Sequence, residues 1–237
     1  MRIAMWSGPR NLSTAMMYAF GNRGDCAVVD EPFYAAYLAM TGLDHPMRSE
    51  ILDSQPQDPE AVAKALLGPV PGAKPYYYQK HMTQHMIPGV PRDWMREAVN
   101  VFLIRHPARV IASYAAKREN PTLEDIGFRQ QAELFDLVRS WGQTPVVVDS
   151  HDIRENPAAK LEQLCDAIGI PYSPKMLSWP KGGHKDDGVW AEHWYGAVWS
   201  STGFAGAEGP LPDVPDALQP VLQAAMPYYE QMKAVKI

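Results

Sequence analysis

The sequence predicts an α/β fold, a three-layer sandwich with a mostly parallel central sheet, on two observations. Five short apolar runs recur along the chain, and helical or turn-rich segments separate them. Each run is continuous rather than alternating, the pattern of a strand covered on both faces. In such sheets ligands sit beyond the carboxyl ends of the strands.

The first run, Ile3 to Trp6, passes through Ser7-Gly8-Pro9-Arg10 into Ser13-Thr14 and then into apolar residues at helical spacing. That order predicts strand, tight loop, helix, with the helix ending near Gly21 to Gly24. Unpaired N–H groups and the positive end of the dipole make such a junction a natural phosphate site. Cys26 to Asp30 is the second strand, ending in the carboxylates of Asp30 and Glu31. A helix follows over Phe33 to Met40. Gly42 to Gln57 is a polar, Pro-bearing loop and a candidate lid or substrate surface.

Asp58 as N-cap and Pro59 at the first position open a helix through Leu67. The aromatic-rich stretch Tyr76 to His81 is the third strand. Asn100 to Arg105 is the least ambiguous strand, followed by His106-Pro107 and a helix carrying Val110, Ile111 and Tyr114. Another helix is expected over Leu123 to Trp141. Pro145 to Asp149 is the fifth strand, and Ala158 to Ile168 an amphipathic helix with Leu161, Leu164, Cys165 and Ile168 on one face. Trp179 to Phe204 is rich in Gly and Trp. A last helix within Asp216 to Met232 is expected to be interrupted by Pro220 and Pro227. Arg10, Glu31, His81 and Arg105 all fall at predicted strand ends and can converge on one cleft.

The 237 residues suit one domain with a single core, and the 22 prolines announce many loops. A net charge of −5 without a Lys/Arg run argues against nucleic-acid partners. The chain shows no leader-like start and no apolar run near the length of a membrane span, so a cytoplasmic protein without membrane partners is expected. Cys26 and Cys165 are expected to be buried free thiols.

A nucleoside triphosphatase loop would read G-x-x-x-x-G-K-[ST], and here Gly8 is followed at that spacing by Ser13-Thr14 with no Lys. Ser7 to Thr14 instead resembles the 5′-phosphosulfate loop of the P-loop sulfotransferases, Pro-Lys/Arg-Ser-Gly-Thr-Thr. On that resemblance Arg10 is the basic loop residue, Ser13 and Thr14 are the two hydroxyl residues, and Asn11-Leu12 stand where the family has Ser-Gly. Arg105-His-Pro-Ala-Arg109-Val-Ile-Ala-Ser113 resembles the family's 3′-phosphate segment, Arg-Asp-Pro-Arg-Asp-Val-x-x-Ser, with His106 replacing the acid. An Arg fork at a strand end with a hydroxyl on the next helix suits a terminal phosphate.

Lys80-His81 is similar to the family's Lys-x-His, one residue short. Glu155-Asn156-Pro157 resembles its Glu-Asn-Pro stretch, and Lys181-Gly182 with Gly188-Val189-Trp190 faintly resembles the Arg-Lys-Gly and Gly-Asp-Trp elements that close over the nucleotide. The resemblance spans residue 3 to about 190. It implies a P-loop sulfotransferase fold forming one domain over 1–237, with a Trp/Gly-rich flap at about 179–205. It implies a cytoplasmic transferase that moves a sulfuryl group from 3′-phosphoadenosine 5′-phosphosulfate (PAPS) to a hydroxyl or amine of a small-molecule acceptor, without a metal. Arg10, Asn11, Ser13, Thr14, Arg105, Ser113 and Lys181 would bind the donor, and a homodimer is compatible with the chain.

Sulfuryl transfer needs a base for the acceptor proton and stabilisation of charge on the leaving 5′-phosphate oxygen; Arg10 and the helix N-terminus suit the second task. For the base, the resemblance implies His81 first, from the Lys-x-His position, and Glu31 second, since some bacterial sulfotransferases that this chain resembles use a carboxylate after the second strand; a neutral imidazole and a tuned carboxylate both serve near pH 7. His81 and His85 are four residues apart, but two ligands are too few for a catalytic metal. Trp179, Trp190, Trp194, Tyr195 and Trp199 could stack on adenine or line an acceptor pocket, or simply pack. Two other readings stay open. One is a small-molecule kinase or nucleotide hydrolase using Asp149 for magnesium; the other is a non-catalytic nucleotide-binding module of the same fold.

Overall fold

The computed structural model describes residues 1–115 and 121–237. Its centre is a sheet of five strands, β1 (Arg2–Ser7), β2 (Cys26–Asp30), β3 (Tyr76–Met82), β4 (Val99–Ile104) and β5 (Val146–Asp149). They stand in the order β2-β3-β1-β4-β5, and every pairing is parallel. Because β1 lies between β3 and β4, the chain reverses its winding at the carboxyl end of β1, the position where open parallel sheets bind ligands.

Side-chain parity sorts the core into two layers. Ile3 and Met5 of β1 pack with α1 (Ser13–Gly21) and with Leu161, Leu164 and Ile168 of a later helix, over Pro157–Ile168. Ala4 and Trp6 face the other way, toward Val62 and Leu66, Val110 and Ile111, Leu134 and Phe135, and Tyr229 and Met232. The helices supplying those residues are α4 (Pro59–Leu66), α5 (Pro107–Ala115), α7 (Phe128–Ser140) and α12 (Gln219–Lys233). Between them in chain order lie α2 (Tyr34–Thr41), α3 (Arg48–Ser54), α6 (Leu123–Ile126), α8 (Ser150–Glu155), α9 (Pro157–Ile168), α10 (Ala191–Trp194) and α11 (Gly196–Trp199). A smaller aromatic cluster joins α2 and α3 to Trp190 and Tyr195 of the tail. Cys26 and Cys165 are buried free thiols.

Three expectations needed correction. The loop from Gly42 to Gln57 contains α3, pinned by the single buried Ile51. The helix expected over Leu123 to Trp141 is two helices, because Gly127 adopts φ +70 between α6 and α7. A Cβ there would lie 2.5 Å from Thr83 Oγ1, so close approach as well as the left-handed turn requires glycine. The last helix is continuous. Pro220 stands in its first turn, where its missing N–H costs nothing, and the helix runs on past Pro227. Among the described residues no helix is long and apolar enough to cross a membrane.

Candidate active site

A cavity of about 580 Å³ opens at the carboxyl edge of the sheet. Residues that follow all five strands line it: Arg10 to Ala15 after β1, Glu31 and Tyr34 after β2, Gln84 and His85 after β3, Arg105 after β4, and Arg154 after β5.

At one end is the β1–α1 loop. Arg10 and Leu12 both take left-handed φ values, 63° and 71°, and bracket Asn11. Asn11 is buried and donates from Nδ2 to the Leu103 carbonyl at 3.2 Å, so it fastens the loop to β4. Leu12 is the N-cap of α1 and offers no side-chain hydrogen bond. The helix start is left to Ser13 and Thr14, which line the cavity, and its positive end faces that space. Leu12 thus adopts without a glycine the conformation a glycine would take freely, at a strain of roughly 1 kcal/mol.

The two segments singled out in the sequence meet here. Arg10 Nε donates to Ser113 Oγ at 2.9 Å, and Arg105 Nη1 donates to the Arg10 carbonyl at 2.5 Å. Burial, with the charge of Arg105, lowers the Arg10 pKa from its ordinary value. Arg109 turns away from the cavity to bind the Glu208 and Gly209 carbonyls. His106 accepts from the Ala108 N–H at 3.2 Å, a helix-start role in place of the acid of the related pattern.

Beside this end lies a buried ionic cluster. Lys80 Nζ binds Asp30 Oδ1 at 2.8 Å, Glu31 Oε1, and Tyr195 Oη at 2.7 Å. The Tyr195 hydroxyl donates to Asp30 at 2.8 Å and accepts from Trp190 Nε1 at 3.1 Å. The Gly188 N–H also reaches Asp30, at 3.1 Å, which ties the tail to β2. Burial raises the Glu31 pKa, Lys80 opposes that shift and Asp30 adds to it. Burial alone would lower Lys80, but the Asp30 and Glu31 carboxylates outweigh it and its pKa is raised. Glu31 lines the cavity and holds φ 39, a conformation rare for a side-chain-bearing residue.

His81 does not join this group. In the register of the sheet it sits opposite Trp6, whereas Lys80 sits opposite Met5, so the two side chains leave β3 on opposite faces. The His81 ring stacks on Trp6 with centroids 4.5 Å apart and touches Phe33 and Trp94, away from the cavity. Burial pushes its pKa down to about 3. A Lys-x-His pattern would put its second residue on the Lys80 face, and here that position is Met82, which lines the cavity. His85 lines it too, stacked between Tyr34 and Tyr37, with its pKa driven well down by burial and neighbouring positive charge.

Lys181 is exposed and outside the cavity. The segment that does reach Arg105 is Ser201 to Glu208. Of the tail aromatics, Trp179, Trp194 and Tyr195 line the cavity, while Trp190 is packed in the aromatic cluster and Trp199 donates to Asp187 at 3.0 Å. Asp149 is committed elsewhere: it caps α8 through the His151 N–H at 2.9 Å and accepts from Tyr229 Oη at 3.0 Å.

The sequence model of the sulfotransferase domain matches residues 1–236. The chain belongs to the sulfotransferase domain family. Two proteins of Arabidopsis thaliana resemble this sulfotransferase domain closely. Branched-chain-amino-acid aminotransferase-like protein 2 is 33% identical over 231 residues, and protein 1 is 34% identical over 232. Each alignment takes in 98% of this chain but 41% of the relative, so the chain spans about two fifths of their length. Two solved structures share the fold. The sulfotransferase domain of the Synechococcus PCC 7002 olefin synthase superposes with a TM-score of 0.59 at 18% identity, covering 98% of this chain and 94% of the other. That of the curacin biosynthetic pathway gives 0.53 at 15%, covering 94% and 96%. Identities this low establish the architecture, and the chemistry must be argued from the site.

Proposed function

We propose that this domain transfers a sulfuryl group from PAPS to a hydroxyl or amine of a small-molecule acceptor. The observation that carries the reading is the meeting of basic and hydroxyl groups in one cavity: Arg10 beside the open start of α1, donating to Ser113, and Arg105, donating to the Arg10 carbonyl. A nucleotide phosphorylated at its 3′ and 5′ positions presents two such anions. The donor's residues therefore fit: Arg10, Asn11, Ser13 and Thr14 about the 5′ end, Arg105 and Ser113 at the 3′ end.

Bound PAPS supplies an activated sulfuryl group and a phosphate leaving group. Arg10 and the first N–H groups of α1 stabilise the charge that builds on the leaving oxygen. Glu31 takes the acceptor's proton, because it is a carboxylate at the cavity wall and burial raises its pKa, which makes it a stronger base than an exposed carboxylate. Lys80 holds that carboxylate in place. The aromatic wall of Tyr34 and Trp194 suits a small organic acceptor.

Isothermal titration with 3′,5′-adenosine bisphosphate tests the donor assignment. The wild-type domain is expected to bind it, and Arg105→Ala to weaken it at least about tenfold, as loss of a charge-assisted contact does. Absence of binding, or equal binding by the variant, would sink the assignment.

A further inference from the structure

Glu208 is the least expected group near the cavity. It comes from an irregular stretch of the tail, yet its side chain is 1% exposed and meets three guanidinium groups. Arg105 Nη2 and Arg154 Nη1 both bind the same oxygen, Oε1, the latter at 2.8 Å. Arg109 Nε lies 3.2 Å from Oε2. Burial works against the charge of Glu208, but the hydrogen bond from Arg105 and the three positive charges hold its pKa below the usual carboxylate value.

Only two of the three arginines, Arg105 and Arg154, line the cavity. Sharing one carboxylate oxygen forces their guanidinium groups side by side, an arrangement that like charges avoid unless a counter-charge sits between them. Each retains N–H donors that Glu208 does not use, because a guanidinium carries five. Arg154 is further fixed by donating to the Gly206 carbonyl at 2.8 Å. With Arg109 counted, the group carries a net charge of +2, from three cations and one anion. That surplus matches a terminal phosphate rather than a neutral hydroxyl.

We propose that Arg154 is a third contact for the donor's 3′-phosphate, beside Arg105 and Ser113, and that Glu208 is the positioning residue that holds the two guanidinium groups together. The inference rests on the donor reading above and goes beyond it, since no recognised motif contains either residue. The tail then contributes to this end of the site by an acid that organises arginines, where the related closing segment would bring a base.

The test compares two probes, 3′,5′-adenosine bisphosphate and 5′-AMP, which differ only in the 3′-phosphate. The wild-type domain should prefer the bisphosphate; equal affinity for the two would remove the donor reading and this inference together. Given that preference, Arg154→Ala should cost about tenfold or more in bisphosphate affinity, equivalent to about 1.4 kcal/mol, while 5′-AMP changes less than about twofold on the same scale. Arg154→Lys should recover part of the loss. Glu208→Gln, nearly isosteric, should lower the same selectivity with the thermal midpoint showing that the domain is folded. Unchanged selectivity in Arg154→Ala would overturn the Arg154 assignment alone. Tighter bisphosphate binding by Glu208→Gln would overturn the positioning role, since it would make the carboxylate a competitor for the site.

Discussion

Lys80 and His81 are neighbours in β3 and occupy opposite chemical worlds. On one face Lys80 joins Asp30, Glu31 and Tyr195 in a charged network at the cavity wall. On the other, His81 is one ring in a stack with Trp6, Phe33 and Trp94, and burial keeps it neutral. Both are almost completely buried, so burial does not separate them. Strand parity does: a pleat of period two sends adjacent residues to opposite sides, and a motif shortened by one residue changes sides with it. Under the proposed function the base is therefore not the imidazole but Glu31, the carboxylate just past the neighbouring β2.

The largest expected effect separates the two faces directly. Glu31→Gln should lower sulfuryl transfer to a screened acceptor by about 10²- to 10⁴-fold, the usual worth of a general base, with bisphosphate affinity little changed. His81→Phe, which preserves a ring in the stack, should keep turnover within a few-fold; a loss matching that of Glu31→Gln would collapse the distinction. A smaller effect should come from moving the imidazole across the strand. Met82→His in the Glu31→Gln background is expected to restore about tenfold of the lost rate, a fraction of a well-placed base, and single-turnover kinetics would report it. No recovery would mean that the Met82 position, although at the cavity, does not face the acceptor.

The smallest effect concerns stability and acid. His81 has a pKa of about 3 in the fold, against about 6.5 for an unperturbed histidine. Between those values the unfolded chain binds the extra proton, so stability is full above about 6.5 and falls as pH drops toward 3. His81→Phe should flatten that part of the curve, moving the acid transition monitored by circular dichroism to lower pH. An unchanged transition would show that other groups, the equally buried His85 among them, govern acid unfolding.

The meeting of Arg10, Arg105 and Ser113 at one end of the cavity was legible because its information is local. The β1 strand, the loop through Arg10 and the start of α1 are contiguous, and Arg105 to Ser113 is a second contiguous piece, so order and spacing sufficed to bring them together. The five strands showed through their apolar runs for the same reason. Other features were not legible, and three of them show why. The face of His81 depended on where β3 began its register with β1. The break at Gly127 depended on Thr83, 44 residues away, whose hydroxyl donates to its carbonyl. Glu208 lies 103 residues from Arg105 and 54 from Arg154 in a stretch without periodicity, so nothing local announced it. Arg154 lies in the last turn of α8, beyond the end of β5, so it lacked the immediate strand-end placement that drew attention to Arg105.

The β1–α1 loop has a consequence beyond the contacts it makes. A glycine-rich turn is free to wander before a ligand arrives, and binding must then pay for its freezing. Here Asn11 is tethered to β4 and Leu12 packs against the core under α1. Side chains also restrict the unfolded backbone more than glycine would. The small strain at Arg10 and Leu12 is therefore met once, when the domain folds, and not again each time a ligand binds.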